Sequence, residues 1–118
     1  MAHFLTNLDL SMFSAQFPQS SRWLLAGIVG LSALTFANVL GHDFIDWDDR
    51  PFLINNYYTQ SFGPRALWTI FTTDMGVYRP VIYAIYAFVR WLFGLDPFAY
   101  HLVSLLFHLG NVGLVFVI

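Results

Sequence analysis

Between Arg22 and Asp43 lie 20 consecutive residues, Trp23 to His42, without a formal charge. At ~1.5 Å of rise per residue a helix over them covers ~30 Å, the thickness of a bilayer's hydrocarbon core. The run therefore reads as a transmembrane helix over 23–42. Arg22 and Trp23 fall at one end and His42 and Asp43 at the other, where headgroups would lie. Gly27, Gly30, Ser32 and Thr35 are small or hydroxylated residues that a membrane helix accommodates. A core helix of a water-soluble domain is usually shorter, and it is not followed by a chain as apolar as this one, where 58% of all residues are hydrophobic.

A second uncharged run, Pro97 to Ile118, is interrupted only by His101, Ser104, His108 and Asn111 among its polar side chains. It gives a second transmembrane helix over 97–118. The expected architecture is an all-α integral membrane protein with an N-terminal arm (1–22), two spans, and a connecting segment over 43–96. The arm carries Met12, Phe13 and Phe17 and is expected either to rest on the membrane or to hang free. The chain ends among apolar residues, Val115 to Ile118, an ending expected of a fragment or a truncated homologue.

Charge and composition narrow the function classes. Five Arg, seven Asp and no Lys or Glu leave a formal net charge of -2, so no basic patch exists to hold nucleic acid. Cysteine is absent, which removes disulfides, thiolate nucleophiles and cysteine metal sites. Arg22 alone would put the N-terminus in the cytoplasm, whereas Arg50, Arg65, Arg79 and Arg90 in the connecting segment argue the opposite, so charge leaves the orientation open.

Within 43–96 the punctuation predicts short helices. Asp48, Asp49 and Pro51 mark a turn, Asn55-Asn56 another and Ser61 to Pro64 a third, after which Arg65 to Thr73 makes about two helical turns with Leu67, Trp68 and Phe71 on one face. That face suits either a membrane surface or another helix. Pro80 starts a helix from Val81 to Phe93 that Gly94 and Pro97 stop. At ~20 Å it falls short of a span, which favours an interfacial position with Tyr83, Tyr86, Arg90 and Trp91 near headgroups over a short tilted span including 77–79.

Two sets of residues carry chemistry. Asp48 and Asp49 are adjacent, so one carboxylate can act as a base toward a substrate while the other meets a cation, an arginine or a backbone N–H. The alternative is a solvated turn. His101, Ser104, His108 and Asn111 stand at offsets of 3, 7 and 10, on one helical face opposite Leu102, Leu106 and Leu109. Polar side chains in a span face protein or a wet cavity, so they either hydrogen-bond to neighbouring helices or line a cavity. His101 and His108 are ~10 Å apart along the helix, too far to share a metal ion.

The string Phe44 to Asn56 containing Asp46-Trp47-Asp48-Asp49-Arg50-Pro51, then Trp68, then Tyr78-Arg79-Pro80-Val81, then Phe93 to Asn111, resembles the N-terminal part of the polytopic glycosyltransferases that use polyprenyl-phosphate sugars. The similarity is greatest to the branch of the protein O-mannosyltransferase superfamily often fused to tetratricopeptide repeats, and it covers roughly residues 36–115. The resemblance implies two spans joined by an outward-facing loop, 43–96 on the periplasmic or lumenal side, with its short helices at the membrane surface. It implies that Asp48 or Asp49 accepts the proton of an acceptor hydroxyl during an inverting transfer. Tyr78 and Arg79 become candidates for substrate binding, Arg79 on the phosphate side of the pocket or in an ion pair with the acidic loop. A polyprenyl-phosphate sugar would be the donor, and no metal is implied. This chain carries only the beginning of such an enzyme, so by itself it is expected to be inactive, with membrane lipid and neighbouring transmembrane helices as partners. The rival expectation is a small structural subunit of a larger membrane complex, for which the 13 Phe, 6 Tyr and 4 Trp supply docking surface.

Overall fold

The computed structural model describes residues 19–74 and 76–118. Most of the N-terminal arm, including Met12, Phe13 and Phe17, lies outside the described residues. The described chain is all-α. Helix α1 is Gln19–Phe36 and continues as a 3-10 segment, Ala37–Gly41; α2 is Pro64–Thr72; α3 is Pro80–Phe93; α4 is Pro97–Val117. Two of these are long and apolar enough to cross a membrane: Ser21–Gly41 and Pro97–Val117, 21 residues each.

The first long helix is described from Gln19, four residues ahead of the uncharged run, and tightens over its last turn. The tightening matches the common 3-10 ending of α-helices. The boundaries of the other helices follow local stereochemistry. Proline occupies the first helical position of α2, α3 and α4, where its missing N–H costs nothing. Gly94 ends α3 in the left-handed region, at φ 68°, and its N–H closes on the Arg90 carbonyl at 2.8 Å. Asp96 then caps α4, its Oδ1 accepting from the Phe98 N–H at 3.1 Å.

The connecting segment holds the protein's core. Between the first long helix and α2 the chain makes one π-helical turn, Arg50–Ile54, and a 3-10 turn, Tyr57–Thr59. Leu53 packs with Val89, Ala99 and Tyr100, and Ile70 packs with Tyr83 and Ala87, so α3 is the strut against which loop, α2 and the start of α4 all rest. Thr59 is fully buried because its hydroxyl serves the Leu53 and Asn56 carbonyls at 2.9 and 3.0 Å.

One detail adds to the sequence expectation and one differs from it. On α2 the packed residue is Ile70, which the spacing did not single out, while Trp68 and Phe71, on the face suited to a membrane surface or another helix, are exposed. On α3, Tyr83 is buried and Arg90 turns inward, donating from Nη1 to the Leu53 and Ile54 carbonyls at 3.4 and 3.2 Å, so neither is free for headgroups. The reason is the loop: its last carbonyls lack helical partners, and a guanidinium one helix away satisfies them.

Candidate functional site: the acidic turn and the groove beneath α3

The acidic turn is organised by its own side chains. Asp43 Oδ1 accepts from the Phe44 N–H at 2.8 Å, and Asp46 pairs with Arg50 one turn on. Asp49 Oδ2 accepts from the Ile45 N–H at 2.8 Å, closing the loop on itself. The hydrogen bond that Arg50 donates to Asp46 is the main reason its guanidinium is still harder to deprotonate than usual, with the charge of Asp46 adding to it. Asp48 stands apart: among the described residues its carboxylate has no hydrogen-bond or ionic partner, and it is exposed.

Adjacent carboxylates thus have different environments. Asp49 is half-buried and committed to backbone, whereas Asp48 is available. The Arg79 guanidinium lies 5.6 Å from the centre of the Phe52 ring, a cation–π contact that holds it beside the turn without an ion pair. Tyr78 spends its hydroxyl on the Phe71 carbonyl at 2.8 Å, which ties the end of α2 to the loop before α3.

Tyr86 connects the turn to a groove. Burial raises the pKa of its phenol, the negative charge of Asp49 adds to that, and Arg79 opposes it, so both charged groups act on this hydroxyl. The Tyr86 ring in turn lines a groove of about 520 Å³ between α3 and α4, whose walls include Ile85, Val89, Tyr100, Val103 and Phe107. Ser104, His108 and Asn111 reach the same groove. His101 does not: its Nε2 is buried without a partner, behind the rings of the Phe44 cluster, with ring centres 6.5 Å apart. The four polar residues of α4 therefore divide into one enclosed histidine and three groove residues.

The structure brings Asp49 and Arg79 within electrostatic reach of Tyr86 and leaves Asp48 next to Asp49 in the turn, while Tyr78 serves the fold. Sequence reasoning did not single out Tyr86 and Arg90 as site-forming. A signal existed, since Tyr83, Tyr86 and Arg90 stand at i, i+3 and i+7 on α3 and so share the face turned toward the loop. Among the described residues no group of three or more His, Asp or Glu side chains is placed to hold a metal ion. No family model, no curated protein and no solved structure matches this chain.

Proposed function

We propose that this chain carries the acidic loop and two spanning helices of a membrane glycosyltransferase that moves a sugar from a polyprenyl-phosphate carrier to a hydroxyl acceptor. The observation that carries the reading is the unequal use of the paired carboxylates: Asp49 is consumed in shaping the turn and Asp48 is left open. In this reading residues 43–96 face the periplasm or lumen, and α2 and α3 lie along the interface. The exposure of Trp47, Trp68 and Trp91, at 83, 72 and 62%, supports such a position, because indole rings favour the headgroup level.

Asp48 accepts the proton of the acceptor hydroxyl as its oxygen attacks the anomeric carbon. The bond from that carbon to the phosphate oxygen breaks with inversion, and the polyprenyl phosphate leaves with the electron pair. Arg79, unpaired with any carboxylate among the described residues, offsets the charge gathering on the leaving phosphate. The apolar α3 wall of the groove, Val81, Ile82, Ile85 and Val89, suits the first isoprene units of the carrier. Further helices are needed to close the site, so the chain alone has no activity in this reading.

Turnover in native membranes supplied with a radiolabelled polyprenyl-phosphate sugar tests it. Asp48→Asn is expected to lower the rate ~100-fold or more, the scale of general-base assistance, without loss of chain from the membrane. Asp49→Asn keeps an oxygen for the Ile45 N–H and costs less. An unchanged rate with Asp48→Asn assigns the pair to a solvated turn.

A second reading, a small structural subunit, is favoured by the exposed apolar side chains around α4, Leu106, Phe107, Leu114 and Val115. Migration of the chain as part of a larger complex on native gels, with no sugar transfer, would select it.

A further inference from the structure

The tyrosines around α3 are not used alike. Tyr78, Tyr83 and Tyr100 donate their hydroxyls to the carbonyls of Phe71, Val77 and Tyr86, at 2.8, 3.4 and 3.4 Å. Tyr86 is half-buried against both core clusters, and among the described residues its hydroxyl has no such partner. It is not sealed off either, since the enclosed polar side-chain atom left unpaired among those residues is His101 Nε2. A half-buried donor left unspent beside a cavity is accounted for by a ligand in that cavity. We infer that the Tyr86 hydroxyl donates a hydrogen bond to the phosphate of the polyprenyl carrier, an assignment that deepens the transferase reading above and rests on it.

Three features meet at this side chain. Tyr86 lines the groove of about 520 Å³, and Ile85, Val89, Val103 and Phe107 make much of the rest of that wall apolar. Arg79 stands seven residues before it, two helical turns or ~10 Å along α3. The Arg79 guanidinium lies 5.6 Å from the centre of the Phe52 ring, and Phe52 and Tyr86 pack against the same cluster of Ile70, Tyr83 and Ala87. Burial and the charge of Asp49 hold the phenol in its protonated form, which is the form that donates. Asp49 itself has Oδ2 turned to the Ile45 N–H at 2.8 Å, so the attraction for an anion lies on the Arg79 side.

Charge decides which part of the groove takes the head of the carrier. The Arg90 guanidinium is committed to the Leu53 and Ile54 carbonyls, and α4 contains no arginine or lysine. Arg79 is therefore the arginine of α3 left to meet an anion, and a phosphate beside it gains both a charge-assisted hydrogen bond from the phenol and the charge of the guanidinium. As the bond to the anomeric carbon breaks, the electron pair gathers on the phosphate and this hydrogen bond strengthens; the phenol keeps its proton throughout. A bilayer phospholipid presents the same phosphate on two chains, and free phosphate has no use for an apolar wall. The single isoprenoid chain suits a slot between two helices.

Photolabelling in native membranes tests this, with a polyprenyl phosphate that carries a diazirine on its tail and with the matching polyprenol. Tyr86→Phe keeps the ring, and Tyr100 still has its backbone carbonyl to donate to, so the fold is retained; circular dichroism of the purified variant checks it. Labelling by the phosphate probe should fall about tenfold in Tyr86→Phe, the scale of one lost hydrogen bond to a charged group, while labelling by the polyprenol stays the same. Tyr83→Phe, which removes a hydroxyl spent on the Val77 carbonyl, should label like the parent chain. Excess polyprenyl phosphate should displace the probe where phosphatidic acid and inorganic phosphate do not. Full labelling of Tyr86→Phe, an equal fall with both probes or in Tyr83→Phe, or displacement by phosphatidic acid or inorganic phosphate overturns the inference. The two readings fail separately. Undiminished sugar transfer in Asp48→Asn, with labelling that still depends on Tyr86, removes the transferase and keeps the phosphate site; lowered transfer in Asp48→Asn with full labelling of Tyr86→Phe does the reverse.

Discussion

The connecting layer and the two long helices solve the problem of burial in opposite ways. In the layer formed by residues 43–96 and the start of α4, side chains from separated elements enclose Leu53, Ile70, Tyr83, Ala87 and Val89, and the buried threonine has acceptors for its hydroxyl. In the candidate span Ser21–Gly41 no residue is buried, and in Pro97–Val117 only 6% of the most apolar stretch is. A helix with that much bare apolar surface is a liability in water and ordinary in lipid, where tails cover it without loss. The layer is held by the hydrophobic effect and by satisfied carbonyls; the long helices wait for a different solvent or for partners.

If that contrast is right, deleting side-chain volume hurts in one region and not in the other. Ile70→Ala empties a fully enclosed site and is expected to cost about 2–5 kcal/mol of unfolding free energy. Leu106→Ala, made on an exposed side of α4, should change little. Denaturant titration of detergent-solubilised protein measures both. A large loss from Leu106→Ala would mean that this face is covered by protein and would break the comparison.

The next effect tests how the layer is tied together. Arg90→Met keeps the aliphatic stem of the side chain but leaves the Leu53 and Ile54 carbonyls without their donor, at a cost of about 1–3 kcal/mol. Arg90→Lys should recover part of it. Protease sensitivity of the segment 50–60 reports whether the loss is local to the turn. If Arg90→Met leaves both stability and proteolysis unchanged, water or headgroups serve those carbonyls and the layer is less self-sufficient than its packing implies.

How much of this was legible in sequence follows the range of each interaction. Pro64, Pro80, Gly94 and Pro97 act through their own φ angles and missing N–H groups, so the starts and stops of α2, α3 and α4 fell within a residue of expectation. Both long helices were legible from their length and lack of charge. The Arg90 clasp joins residues 36 and 37 positions apart, and no pattern within one helix announces that a basic side chain will turn inward. The same holds for the acidic pair: adjacency made Asp48 and Asp49 equivalent on paper, and only the fold of the turn onto the Ile45 N–H distinguished them. On α2, apolar spacing marked Leu67, Trp68 and Phe71 and passed over Ile70, because spacing alone cannot say which apolar flank meets protein and which meets another apolar medium.

A smaller effect appears at alkaline pH. Burial, reinforced by Asp49, raises the Tyr86 pKa, so the folded protein holds this proton more tightly than the unfolded chain does. The contribution is fully present below the unfolded value of about 10 and is lost as pH rises from there through the folded value. Stability should therefore decline above pH ~10, and Tyr86→Phe should flatten that decline, as followed by tyrosine absorbance and unfolding midpoints together. An unaltered slope in Tyr86→Phe would mean the phenol is open to solvent through the groove.

The smallest expected effect belongs to the one ion pair found among the described residues. Arg50 and Asp46 are both exposed, at 57 and 79% of their side-chain surface, and an exposed pair one helical turn apart gains little over the hydration it gives up. Asp46→Asn should leave the unfolding midpoint where it is, at low and at high salt alike. The pair lies exposed in the acidic turn, so its behaviour reports on what covers that turn. A clear, salt-insensitive loss on Asp46→Asn would show that the turn is sealed by headgroups or by another subunit, since only a pair removed from water resists screening. In that event the boundary drawn between a self-sufficient layer and unfinished long helices would shift, and the acidic turn would join the long helices among the parts of this protein completed by a neighbour.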